Sequence, residues 1–117
     1  MEEKIQILYE EINFLGFHAT YHRDHNYVEN SKTLIPKVQE FVLWFLKEKQ
    51  DLSEPGIIEN LIDILKDCET ALKAYDHVLM MDALEQGISG YLELFLSEDY
   101  FKEKENTYVG QHERQEP

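Results

Sequence analysis

His18, His22 and His25 stand four and three residues apart. On a helix that spacing puts three imidazoles on one face, and Glu11 and Glu29 extend the same file on either side. Neutral imidazoles one turn apart can share a transition metal such as zinc, nickel or iron, with a carboxylate completing the shell. Three ligands from one straight helix make a poor tetrahedral cage, so a working site needs a further ligand from another helix. The Glu-x-x-His pairs of di-iron bundles are absent, as is the His-Glu-x-x-His of zinc hydrolases. The stretch Tyr21-His22-Arg23-Asp24-His25-Asn26-Tyr27 also reads as the solvated end of a long helix. Its imidazoles would repel one another as they charge below about pH 6.5, which is the behaviour of a pH-sensitive patch.

Other chemistries find no constellation. The glycines Gly16, Gly56, Gly87, Gly90 and Gly110 have neither Walker nor dinucleotide spacing. Ser89 sits in Gly87-Ile88-Ser89-Gly90, which is not the Gly-x-Ser-x-Gly elbow and has a helical context. Cys68, the only cysteine, falls on an apolar stripe and reads as a small core residue rather than a nucleophile. No catalytic residues are assigned.

Charge narrows the partners. The chain has 117 residues, 11 basic and 24 acidic, for a net charge of −13. Such a surface repels phosphate backbones and anionic membranes, so neither nucleic acid nor membrane is an expected partner. Residues 1–50 hold six basic and eight acidic side chains, a net of −2; residues 51–117 hold five and sixteen, a net of −11. The longest apolar run, Phe41 to Leu46, is far short of the roughly 18 residues that span a bilayer. Met1-Glu2-Glu3-Lys4 lacks the basic and apolar regions of a signal peptide, so a cytoplasmic location is expected.

The elements that must position any site are helical throughout. Ile5, Leu8, Ile12, Leu15 and Ala19 recur at steps of three and four, which predicts a helix over 2–28 with Gly16 as a soft point. Asn30-Ser31 reads as a break. A second helix over 33–50 carries Leu34, Val38, Phe41 and Phe45, with Pro36 tolerated in its first turn. Ser53 is the expected N-cap of a third helix that runs to Lys73 with the stripe Ile58, Leu61, Leu65, Cys68 and Leu72. Asp76 is the candidate cap of a fourth, with Met81, Leu84, Ile88, Tyr91 and Phe95 inside. The short connection at 74–76 predicts an antiparallel hairpin of helices three and four. Residues 106–117 are polar and aperiodic and read as a mobile tail. The expected fold is therefore all-α: one compact antiparallel bundle of about four helices over residues 1–105, with a disordered C-terminal tail.

Three of these helices carry more apolar surface than one core needs. The first has a second face of Ile7, Phe14, Phe17 and Tyr21. The second sets Leu43 and Trp44 off its main stripe, and the fourth has an opposed stripe of Ala83, Gly87, Gly90 and Leu94. Two interior glycines on one face each cost about 1 kcal/mol relative to Ala and mark the approach of another backbone, within the chain or outside it. A homodimer or a groove for another protein's helix would cover such surface. Glu59, Asp63 and Asp67 form an acidic ladder on the third helix, either a solvated face or a strip for a basic segment. The expected function is non-enzymatic: an acidic cytoplasmic interaction protein, acting as adaptor, chaperone-like binder or regulator. The alternative is a metal-binding helical protein that uses the histidine file.

Overall fold

The computed structural model describes residues 1–21 and 26–102, with the backbone only at Tyr21. Its elements are α1 (Glu2–Tyr21), α2 (Tyr27–Ser31), a 3₁₀ turn (Lys32–Leu34), α3 (Ile35–Glu48), a 3₁₀ turn (Gln50–Leu52), α4 (Pro55–Ala74), α5 (His77–Met81), a π-helix (Asp82–Ile88) and α6 (Ser89–Glu93). A further helical turn covers residues 98–102. Because α2 runs into α3, and α5 through the π-helix into α6, the described residues form four long helical runs. No strand occurs among the described residues.

The first helix is shorter than its periodicity implies. Asn26 is non-helical (φ −98°, ψ 25°), and Tyr27 opens the next run rather than closing the first. Tyr27 and Val28 are buried, so their apolar surface serves the second run. The expected break at Asn30-Ser31 is helical instead. Ser31 is fully buried, and its hydroxyl donates to the Val28 carbonyl at 2.8 Å. The tightening to 3₁₀ geometry comes at Lys32–Leu34, just ahead of Pro36, whose ring opposes an α-helical carbonyl four residues back.

The inner stripes form one core. Ile5, Leu8 and Ile12 of α1, Leu34, Val38, Phe41 and Phe45 of the second run, and Leu61 and Cys68 of α4 are all buried. The hairpin of α4 with the last run is antiparallel. Asn60 Nδ2 donates to Tyr91 Oη at 2.6 Å, while Ile64, farther along α4, meets Gly87. Asp76 caps α5 as expected, accepting from the Leu79 amide at 3.0 Å. Ser53 does not cap α4. Glu54 holds that position without a side-chain hydrogen bond, and Ser53 Oγ donates back to the Lys49 carbonyl at 2.8 Å.

The last run departs most from its predicted stripe. Its fully buried residues are Met80, Leu84, Ile88 and Leu92, followed by Leu96, at uniform steps of four. On an ideal α-helix each such step drifts about 40°, which would turn the stripe through about 160° over its length. The wider π turn at Asp82–Ile88 takes up part of that drift and keeps both ends of the stripe on the core. Met81, Tyr91 and Phe95, expected inside, are half-buried. Phe95 instead closes an aromatic group with Trp44 (5.1 Å), Phe45 (5.8 Å) and Phe41 (6.1 Å).

Candidate functional site

Of the expected file, Glu11 and His18 lie on α1 and Glu29 lies on α2. His18 is on the last turn of α1, half-buried, with its ring 4.3 Å from that of Phe14. His22 and His25 lie outside the described residues. Glu29 belongs to α2, where Lys32 Nζ bonds it at 2.9 Å and the Tyr75 hydroxyl donates to it. Those two partners hold its carboxyl below the usual carboxylate range, Lys32 foremost. Glu11 forms an ion pair with Lys37 at 2.6 Å. Glu29 would share the face of Glu11 only if one helix ran through residue 28, and the non-helical Asn26 ends that register. Among the described residues no three His, Cys, Asp or Glu side chains converge as metal ligands.

Residues that read as polar surface in the sequence build a different junction. Glu85, at the middle of the π-helix, reaches α1 at Gly16 and accepts a hydrogen bond from Tyr27 Oη at 3.1 Å. The imidazole of His77 lies tilted against the Tyr27 ring at 5.1 Å. Tyr27 is almost wholly buried, and burial, with Glu85 beside it, pushes the phenol well above its ordinary pKa. Cys68 is buried nearby, and burial, then Asp67 and Glu69, raise its thiol to about 11. A neutral thiol at that value is a poor nucleophile, in keeping with a core role. Farther along the same run Tyr9 Oη donates to Glu93 Oε1 at 3.0 Å, and Tyr100 Oη donates to Glu10 Oε1 at 3.0 Å. Between Glu85 and Glu93, Ser89 is buried, and its hydroxyl has no hydrogen-bond partner among the described residues. Glu85 was legible only as one polar position among several. The signal that marks it is a glycine on the facing helix, and that pairing is tertiary.

The surplus apolar residues divide into two groups. Ala83 is 4% exposed and packs inside the hairpin, and a β-carbon at Gly87 would sit 3.1 Å from Ile64. Ala83 is buried, whereas Gly87 is half-buried and stands against Ile64 of α4. Trp44 is half-buried, edge-on to Phe95, with Lys49 Nζ 5.6 Å above its ring. Leu43 and Leu94 are exposed, and Gly90 has open space where a side chain would be.

The exposed group on α1 is the largest set on a single helix. Ile7 is 45%, Phe14 61% and Phe17 51% exposed. Tyr21 follows on the last turn of the same helix; its side chain lies outside the described residues. The opposite side of α1 carries Ile5, Leu8 and Ile12 in the core, so the outer face is held on a fixed support. Ion pairs from Lys4 to Glu40 and from Lys37 to Glu11, both 2.6 Å, tie α1 to α3 along its edge. Ile7 lies between two shallow hollows. One of about 220 Å³ is lined by Met1, Ile5, Leu8 and Phe41; one of about 390 Å³ is lined by Phe14, Leu15, Thr33 and Leu34.

The acidic ladder Glu59, Asp63 and Asp67 is exposed on α4. Asp67 and Asp82 flank a groove of about 480 Å³ over Gly87 and Gly90. No helix among the described residues is long and apolar enough to cross a membrane. Compared with protein-family models, curated proteins and solved structures, the chain matches none of them.

Proposed function

We propose that the protein acts by protein–protein contact, as a small adaptor, binder or regulator, and that the outer face of α1 is its contact surface. The observation that carries this reading is the exposure of Ile7, Phe14 and Phe17 on one side of one helix. Scattered apolar residues are normal on protein surfaces, but two phenylalanines one turn apart and more than half exposed form a contiguous patch. Aromatic residues in a helix face are the usual anchors of helix-mediated recognition. The core stripe behind them fixes the backbone, so little ordering entropy is lost when the face is covered. The setting is cytoplasmic on this reading, and the only cysteine is a buried thiol.

The test is a photo-crosslinking amino acid placed at position 17, with position 78 as the control. Val78 is also exposed but lies on α5. In extract of the cells that make the protein, position 17 should give defined adducts and position 78 none. Equal labelling from both positions, or none from position 17, would remove the support for α1 as the contact surface.

A further inference from the structure

We infer that the occupant of the α1 face is a second copy of this chain, docked antiparallel about a two-fold axis through Phe14. The inference rests on the contact reading above and adds the partner and the register to it.

The order of residues around Phe14 favours this register. Glu10 stands four residues before it and His18 four after. Glu11 stands three before and Phe17 three after, and Ile7 lies one heptad before. In a two-fold contact residue i meets residue j and j meets i. With the axis at Phe14, the two Phe14 rings meet. Glu10, which already accepts from Tyr100 Oη at 3.0 Å, faces the partner's His18, whose ring packs on Phe14 at 4.3 Å and carries at least one N–H. Phe17 lies over the partner's Glu11, whose charge Lys37 already compensates within its own subunit at 2.6 Å. Moving the axis one turn toward the N-terminus would set Glu10 against the partner's Glu10. Like charges placed opposite each other disfavour that register.

Charge also selects the half of the molecule. Two chains of net −13 repel each other, and the repulsion is least where their charge is lowest. α1 holds four Glu and one Lys, a net of −3, with Lys37 of α3 paired to its Glu11, whereas residues 51–117 carry −11. Area sets the strength. A phenylalanine presents about 150–250 Å² in all, so Ile7, Phe14 and Phe17 at their exposures offer roughly 300 Å² per copy. Two copies then bury roughly 600 Å² of apolar surface. That matches the apolar share of an interface near 1,200 Å² in total, the low end for specific complexes. The dimer is therefore concentration-dependent rather than obligate.

The register is tested by mixing two single-site variants, Glu10→Cys and His18→Cys, in a Cys68→Ala background, under mild oxidation. The mixture should give a disulfide-linked dimer at least tenfold faster than either variant alone, because only the mixture sets the two thiols opposite each other. Light scattering on the unmodified protein should show mass rising with concentration. Phe14→Glu should shift the midpoint at least tenfold while leaving the circular dichroism spectrum unchanged. A monomer through the high micromolar range would overturn the inference, as would a dimer indifferent to Phe14→Glu or crosslinking no faster in the mixture. If the protein is monomeric but position 17 captures a different protein, the second copy is excluded and the contact reading survives. A monomer with no adduct at position 17 sinks both.

Discussion

The carboxylate of Glu85 lies against the α-carbon of Gly16, in the space where any other residue would place its β-carbon. A β-carbon built there would come within 2.8 Å of Glu85 Cδ. The same carboxylate accepts the hydrogen bond of the buried Tyr27 hydroxyl at 3.1 Å. One glycine on α1 thus lets a side chain from the π-helix satisfy a phenol from α2, and three helical runs meet at one point.

That relationship predicts a change of sign. Gly16→Ala should destabilise the protein by about 1–3 kcal/mol, because displacing Glu85 leaves the Tyr27 hydroxyl without its acceptor. In a Glu85→Ala background the clash is gone. The same substitution should then stabilise by up to about 1 kcal/mol through helix propensity. Urea unfolding of the four proteins in the cycle reads both effects. Equal effects of Gly16→Ala in the two backgrounds would show that Glu85 does not depend on this glycine.

The buried acids give a pH dependence. Tyr27 and Cys68 both have raised pKa values in the folded state, the thiol at about 11 from an ordinary 9.0. A group whose folded pKa is raised binds its proton more tightly folded than unfolded. Its contribution is complete below the unfolded value and is lost as pH rises toward the folded one. Stability should therefore fall from about pH 9 upward through the thiol and from about pH 10 upward through the phenol, each with a slope of up to about 1.4 kcal/mol per pH unit. Cys68→Ala should flatten the segment between about pH 9 and about pH 11, as followed by unfolding midpoints. An unchanged slope there would mean that the thiol does not titrate differently on folding.

Gly90 and Ser89 are adjacent, and replacing either with Ala should cost no stability, for different reasons. Gly90 lies in α6, and a β-carbon added there would meet nothing within 4 Å, so Gly90→Ala should stabilise by up to about 1 kcal/mol. Ser89→Ala removes a buried hydroxyl without a partner among the described residues and should be neutral or stabilising by about 1 kcal/mol. Thermal melts suffice for both. A clear loss of stability in Ser89→Ala would reveal a bond made by that hydroxyl.

Much of the fold is legible in the sequence because helix period and burial agree wherever a helix is regular. Leu34, Val38, Phe41 and Phe45 form the expected stripe, and all four are buried. The cap at Asp76 and Pro36 in a first turn follow from local chemistry and stand as expected. The last run departs from expectation because steps of three and four assume 3.6 residues per turn. The spacing of Met80, Leu84, Ile88, Leu92 and Leu96 is plain in the sequence, but its uniformity makes sense only with a π turn. The first helix ends sooner than its pattern implies because Tyr27 and Val28 continue an apolar period while packing from a different helix. The same apparent continuity places Glu29 in the histidine file. The surplus on α1 is legible in the sequence, and Ile7, Phe14 and Phe17 are exposed. Trp44, Ala83 and Gly87 look alike by period, but Trp44 and Gly87 find their partners Phe95 and Ile64 elsewhere in the chain, and no periodicity names them.

The most direct test of the central claim, that copies of the chain meet through the outer face of α1, is native mass spectrometry of untagged protein over a concentration series beside Phe14→Glu. The expected result is a two-subunit species that grows with concentration in the unmodified protein and is lost in the variant. A single-subunit spectrum at every concentration, or a two-subunit species equally abundant in both proteins, would contradict it.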